Sequence, residues 1–245
     1  MNIKSISKET LAVIEKYKDV PYFNNKTIGK RAGLRVEAGK GSPKEIYEEL
    51  ETMARLNKIN LKDLSIEDKR RLMVENDIGI DCSGFAYYIL NEESLGRGKG
   101  NISNHLHFVK FSNPIRRLIA KLRPIENSDV ITFADNNNSK LISLREVQAG
   151  DIVTMIGSRN HILIVENIEY KDSLPNIIHY VHAIAWPTDG EYGHGIHRGT
   201  IEIVDHGKTL LEQNWIELNK TGPENYTYYR AKESLTELRR LNWFD

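Results

Sequence analysis

One short stretch, Gly79 to Leu90, contains the only cysteine of the 245-residue chain. Asp81 directly precedes Cys82 and is a favourable helix N-cap, because its carboxylate can accept amide hydrogens of the first turn. Counted from Cys82, apolar residues follow at positions +3, +4, +7 and +8, which is the spacing of one helix face. The sequence therefore predicts a helix that begins at Cys82 and packs along the face that carries the thiol.

The position of Cys82 at a helix start has two interpretations. The positive end of the helix dipole favours the thiolate, which is the nucleophilic form of cysteine, and so predicts a lowered thiol pKa. Free cysteine is also among the residues most often buried for packing alone, and Cys82 lies on the apolar face. The stretch by itself leaves both interpretations open.

Two histidines further along the chain could serve a cysteine nucleophile. Strands are predicted at 151–156, 161–169 and 177–185, so His161 begins the second strand and His182 lies within the third. A thiol, a histidine base and a polar residue on the neighbouring strand form a nucleophile, base and orienter set. His179 lies three residues before His182, on the opposite face of that strand. We therefore expect His182 to orient the base and His179 to be partly solvated.

Four motifs occur in a recognisable order: Asp-Cys-Ser-Gly-Phe, Ala-Gly-Asp-Ile-Val, His-Ile-Leu-Ile-Val and Val-His-Ala. Together they resemble the NlpC/P60 family of papain-like cysteine peptidases. The first helix and the Val-Pro-Tyr-Phe segment that follows it also resemble the N-terminal part of that family. The resemblance covers about residues 8–24, 79–92 and 146–232.

The resemblance implies roles for six residues. Cys82, His161 and His182 are the implied catalytic triad of nucleophile, base and orienter. The implied neighbours on the substrate and oxyanion side of the thiol are Tyr22, Asp81 and Ser83. Of these, Asp81 is favoured as the cap of the cysteine helix rather than as a substrate contact.

The implied activity is that of a cysteine amidohydrolase or peptidase, acting on peptidoglycan stem peptides or related small peptides. Two alternatives remain open: acyl transfer or transamidation at the same thiol, and a catalytically silent binding module. No metal or organic cofactor is required, because the thiol and imidazole supply the nucleophile and the base. The expected partner is a peptide or a peptidoglycan fragment, and the oligomeric state is left open.

The predicted architecture is α+β, with helices before residue 147 and short strands after it. The resemblance implies a papain-like arrangement, in which N-terminal helices, including the cysteine helix, pack on an antiparallel sheet. We expect one domain over residues 1–245, with a helical insertion at about 26–78 and a second insertion at about 93–145. Further elements are predicted as an exposed loop over 27–41, strands over 199–204, 209–215 and 226–232, and a closing helix over 233–241.

Charge and hydropathy restrict the classes of partner. The chain has 34 Lys and Arg and 34 Asp and Glu, which argues against nucleic-acid or anionic-membrane binding by counterion release. The basic residues of the predicted helix over 114–122, with Arg123, favour a solvated face over a phosphate site. No apolar run is long enough for a membrane span, and the N-terminus lacks the apolar core of a signal peptide. The expectation is a cytoplasmic protein as given, or an exported one whose signal segment is absent from this sequence.

Two further groups of residues keep more than one interpretation. Trp186, Tyr192 and Trp215 either line a cleft or pack in the core. His194 and His197 form a candidate metal pair, although zinc needs three or four clustered ligands, and a surface or cleft-rim loop is favoured.

Overall fold

The computed structural model describes residues 2–24, 35–188, 190 and 193–244. Within these ranges the chain forms eight α-helices, seven of which precede the main run of strands. They are α1 (Lys8–Lys16), α2 (Pro43–Leu56), α3 (Ile66–Glu75), α4 (Cys82–Gly96), α5 (Pro114–Leu122), α6 (Pro124–Asn127), α7 (Val130–Ala134) and α8 (Tyr226–Lys232).

The strands of the described residues form one sheet whose ladders are all antiparallel. Their order is β2-β9-β3-β4-β5-β6-β7-β8, and β1 pairs with the far half of β4. The architecture is therefore α+β. The strands are β1 (Asn2–Ser5), β2 (Ser139–Leu141), β3 (Ile152–Ile156), β4 (His161–Lys171), β5 (Leu174–Ile184), β6 (Gly195–Glu202), β7 (Asn214–Glu217), β8 (Lys220–Thr221) and β9 (Leu235–Leu241).

Local capping explains where the early helices begin. The Ser42 hydroxyl accepts from the Glu45 amide at 3.2 Å, and the Glu45 carboxylate accepts from the Ser42 amide at 2.7 Å. This reciprocal pair satisfies two amides that the first helical turn leaves without partners. Helix α2 therefore begins at Pro43, directly after Ser42, and runs to Leu56.

The central strands are buried on both faces. Ile162 and Ile164 of β4 belong to the core that contains Cys82 and the inner face of α4, whereas Leu163 and Val165 belong to the core on the other side. A strand covered on both faces loses the alternation of apolar and polar residues, so β4 begins as an unbroken apolar run after His161. The predicted packing of the cysteine helix on an antiparallel sheet is confirmed.

Two predicted elements near the C-terminus are wrong. The predicted strand over 226–232 is helix α8, which Asn225 caps by accepting from the Tyr228 amide. The predicted closing helix over 233–241 is strand β9, which pairs with β2 and β3. Pairing with two neighbouring strands decides the structure of this segment, since sheet contacts override weak local propensity.

Two other boundaries differ from the prediction. The segment predicted as a strand over 209–215 begins with a short 3-10 turn, Leu210–Glu212, because Thr209 and Glu212 form a capping box there. Of the exposed loop predicted over 27–41, residues 27–34 lie outside the described part of the chain. Its last residues are not exposed: Lys40 is buried.

Candidate functional site

Cys82 is the first residue of α4 and lies in the wall of a cleft of about 650 Å³. The Asp81 carboxylate accepts from the Gly84 amide at 2.6 Å, so the predicted N-cap is confirmed. Tyr22 lines the same cleft, and its hydroxyl accepts a hydrogen bond from the Asn24 amide group at 3.3 Å. Cys82 therefore borders the cleft, although the residue as a whole is only 5% exposed.

A buried lysine lies beside the nucleophile candidate. Lys40 Nζ donates to Asp81 Oδ1 at 3.0 Å, to Ser83 Oγ at 2.6 Å and to the Ser128 carbonyl at 3.1 Å. The two residues that flank Cys82 are thus held by one ammonium group, which also balances the buried Asp81 charge. No sequence signal marks Lys40, because it lies in a segment rich in glycine and basic residues that is typical of an exposed loop.

The thiol of Cys82 does not have the lowered pKa that the helix start predicts. Burial, followed by the nearby Asp81 carboxylate, raises the pKa of Cys82 to about 11. The charges of Lys40 and Arg230 and a hydrogen bond from the Ile162 amide act in the opposite direction. The expectation of a low-pKa thiol is therefore wrong, because the desolvation of the buried thiol outweighs the effect of the helix dipole on its pKa.

His161 is the first residue of β4 and is fully buried. Helix α4 packs against β4, and Cys82 belongs to the same core cluster as Ile162, the next residue of the strand. His161 Nε2 lies 2.7 Å from His182 Nδ1, whereas Nδ1 of His161 is buried and has no hydrogen-bond partner among the described residues. Burial, with the Arg230 and His182 charges, lowers the pKa of His161 well below its usual value, so the ring is a neutral base.

A buried carboxylate extends this arrangement by one residue. Glu217 Oε1 lies 3.1 Å from His182 Nε2 and 3.3 Å from His197 Nδ1, and Oε2 accepts from the Tyr180 hydroxyl at 2.6 Å. Burial alone would raise the pKa of Glu217, but the charge of His182 and the three hydrogen bonds hold it well below its usual range. Glu217 is therefore an anion, and sequence reasoning missed it because nothing local distinguishes this glutamate.

The Glu217 anion determines the protonation of both rings. A carboxylate without a proton can only accept, so His182 Nε2 donates to it. When His182 carries a single proton, that proton lies on Nε2, so Nδ1 is an acceptor and His161 Nε2 donates to it across 2.7 Å. The remaining nitrogen of His161 therefore carries the lone pair, as a general base requires.

The register of the sheet brings these side chains to one face. Tyr180 lies opposite Gly199 and Gly199 lies opposite Glu217, while His182 lies opposite His197. A Cβ atom at Gly199 would overlap the Tyr180 hydroxyl. The absent side chain therefore lets the Tyr180 hydroxyl reach across β6 to the carboxylate.

His179 lies on the opposite face, as strand alternation predicts. Its Nε2 lies 2.7 Å from Glu169 Oε1, and its side chain is 29% exposed, so the expectation of a partly solvated His179 outside the site is confirmed. Trp186 and Trp215 are both buried in the core and do not line the cleft, whereas Tyr192 lies outside the described residues. His194 lines the cleft.

Iodoacetamide labelling of Cys82 is expected to be slow at pH 7 and to rise about tenfold per pH unit, because only the thiolate reacts and the pKa lies near 11. Labelling rates measured from pH 6 to 10 by mass spectrometry check this. Unfolded protein provides the control, with a midpoint near about 8.5. A rate that levels off below pH 8 in the folded protein would mean that burial does not control the thiol.

Comparison with protein-family models, with curated proteins and with solved structures found no match to this chain. In the part of the chain that the structure describes, no helix is long and apolar enough to cross a membrane. Across residues 2–24, 35–188, 190 and 193–244, no group of three or more His, Cys, Asp or Glu residues is placed to hold a metal ion.

Proposed function

We propose that this chain is a cysteine amidohydrolase with a papain-like catalytic site of the NlpC/P60 kind. The observation that carries the proposal is the continuous hydrogen-bond chain from Glu217 through His182 to His161. This chain ends on a buried Nδ1 that has no hydrogen-bond partner among the described residues, at the start of the strand against which the cysteine helix packs. A structural histidine pair would satisfy that nitrogen, since buried polar atoms are normally hydrogen-bonded.

In the proposed reaction, the Cys82 sulfur attacks an amide carbonyl and forms the carbon–sulfur bond. His161 Nδ1 takes the thiol proton as attack proceeds and then gives it to the leaving amine as the carbon–nitrogen bond breaks. Water hydrolyses the resulting thioester, again with His161 as the base. The first-turn amide of Cys82, at the N-terminus of α4, is suited to stabilise the carbonyl oxygen as it becomes negative.

The electrostatics favour a base that acts during attack over a preformed ion pair. The thiol is neutral at pH 7 because its pKa is raised, and His161 is neutral because its pKa is lowered. When His161 becomes an imidazolium, its Nε2–H still donates to His182, and the Glu217 anion lies one ring further on. The Glu217 anion compensates the positive charge that forms on His161, so His182 and Glu217 together stabilise the transition state.

The cleft suits a short peptide. Its volume of about 650 Å³ is within the range of small-molecule sites, and its walls combine Tyr22 and Tyr226 with the arginines Arg159 and Arg230. Peptidoglycan stem peptides or related small peptides are the substrate class that the sequence resemblance adds to this chemistry.

Incubation of the intact protein with a panel of muropeptides and simple dipeptides tests the proposal. We expect mass spectrometry to show hydrolysis of one amide bond, with a new amine and a new carboxylate, and no product with protein alkylated to completion at Cys82. Products joined to an added amine would favour acyl transfer instead. Equal turnover by the alkylated protein, or no acyl-enzyme and no product with any peptide, would contradict the proposal.

A further inference from the structure

Helix α5 presents an apolar stripe to solvent. Four aliphatic side chains recur at the i, i+3, i+4 and i+7 positions of a helical face, and each is at least 42% exposed. They fall within about 100° of one another on the helical wheel. These residues, the α5 stripe, are Ile115, Leu118, Ile119 and Leu122.

The rest of the molecule touches α5 on the opposite side. Ala120 is the only residue of the helix that is buried, and it projects about 150° from the centre of the α5 stripe. The helix is oriented by Arg116, which donates to Asn127 Oδ1 at 2.9 Å, and by Arg117, which donates to the Phe111 carbonyl at 2.9 Å. Burial of Ala120 and these two hydrogen bonds place the α5 stripe on the side of the helix that faces solvent.

Basic residues are frequent in the sequence on both sides of this helix. Between Glu93 and Glu126 the sequence has seven Lys and Arg and no Asp or Glu. The remaining chain then has 27 basic residues against 34 acidic ones, a net charge of −7 beside a segment of +7. Arg97, Lys110 and Arg123 pair with the carboxylates of Glu93, Asp129 and Glu126, which lie just outside this segment. The cations of α5 itself, rather than the zero net charge of the whole chain, therefore determine how this surface interacts with an anionic partner.

The charges flank the α5 stripe. On the helical wheel, Arg116 and Arg123 lie to one side of the stripe and Lys121 lies to the other. Arg123 is paired with Glu126 at 3.1 Å, whereas Arg116, Arg117 and Lys121 form no ion pair with a carboxylate within the described residues. An outward aliphatic stripe between rows of cations is the pattern of a helix that lies in the interface of an anionic bilayer.

We propose that α5 attaches the protein to the surface of an anionic lipid bilayer, with the α5 stripe inserted among the acyl chains and the basic side chains at the phosphate level. Aliphatic side chains favour lipid over nucleic acid, because nucleic acid would neutralise the cations but leave the stripe in water. Attachment of this kind is parallel to the membrane plane and needs no spanning helix.

Vesicle co-sedimentation of the full chain tests this inference. We expect binding to phosphatidylcholine vesicles that contain roughly 30 mol% phosphatidylserine, and little binding to phosphatidylcholine alone. Raising the salt from about 0.1 M to about 0.5 M is expected to weaken binding by at least about fivefold, since exposed charges are screened.

Matched variants distinguish binding through the α5 stripe from non-specific adsorption of the protein to vesicles. Leu122→Gln and Lys121→Glu are expected to lower the bound fraction at least about fivefold. Leu56→Gln and Lys44→Glu are the controls: Leu56 ends α2 as Leu122 ends α5, at 71% and 72% exposure, and Lys44 is a highly exposed lysine on α2. The controls are expected to bind as the unchanged protein does.

Three outcomes would overturn the inference. The first is that the protein binds vesicles of neither composition. The second is that the control variants lose as much binding as the α5 variants. The third is that the protein binds a short duplex DNA in place of vesicles, and that Leu122→Gln leaves this DNA binding unchanged. Circular dichroism of each variant keeps these outcomes separate from unfolding. Vesicle binding does not involve Cys82, so the result is independent of the proposed activity.

Discussion

The Glu217→Gln substitution is expected to lower kcat/KM by on the order of 10³-fold while leaving the protein folded. A glutamine side chain can donate its amide hydrogen to His182 Nε2, which a carboxylate cannot do. His182 Nδ1 would then carry the proton and donate to His161 Nε2, and His161 Nδ1 would become protonated. The base would thus be held in the tautomer that cannot accept the thiol proton.

Steady-state kinetics on the substrate found with the peptide panel measure this effect. The loss is expected in kcat, with KM nearly unchanged, because Glu217 is a positioning residue that is buried away from the cleft. Glu166→Gln is the matched control: Glu166 is also a buried glutamate of the sheet, paired with Arg198 at 2.8 Å, but it does not contact either histidine of the site. A loss below tenfold in Glu217→Gln, or an equal loss in the control, would contradict the tautomer argument.

The same variant has a stability signature with a definite sign. The pKa of Glu217 is lowered by folding, so its carboxylate contributes stability above the unfolded pKa of about 4.5, and that contribution is lost as the pH falls. Chemical unfolding is therefore expected to show the largest difference between the unchanged protein and Glu217→Gln above about pH 5. The difference is expected to shrink in more acidic solution.

His182→Leu is expected to lower kcat/KM by on the order of 10²–10³-fold, whereas His179→Leu is expected to change it less than about threefold. The leucine at 182 removes the acceptor for His161 Nε2–H, so the tautomer and orientation of the base are no longer held. His179 contacts Glu169 on the other face of the sheet, outside the site.

A second substitution separates orientation from the link to Glu217. His182→Asn can present an amide oxygen near the position of Nδ1 and accept from His161, but it is too short to reach Glu217. We expect it to retain more activity than His182→Leu and less than the unchanged protein. If His179→Leu were the damaging change and His182→Leu nearly silent, the assignment of the two strand faces to site and surface would be wrong.

The local sequence determines where the cysteine helix and the histidine strand begin and which face of β5 carries His182. Asp81 determines where α4 begins, because an N-cap carboxylate accepts from an amide of the first helical turn, here that of Gly84. The strand after the turn at Ser158–Asn160 begins at His161, and a spacing of three residues separates His179 from His182 by strand alternation. The structure confirms each of these inferences. Each depends only on residues a few positions apart, which is why the sequence alone is enough to make it.

Tertiary structure decided what depends on distant residues. Glu217 reaches His182 because β5, β6 and β7 pair in one register, and no local pattern predicts that register. Lys40 meets Asp81 only after a segment that resembles a loop folds under α4. The thiol pKa is raised by burial, a property of the assembled core, although the helix start alone predicts the opposite. Strand β9 exists because two neighbouring strands offer hydrogen bonds that outweigh its helical spacing.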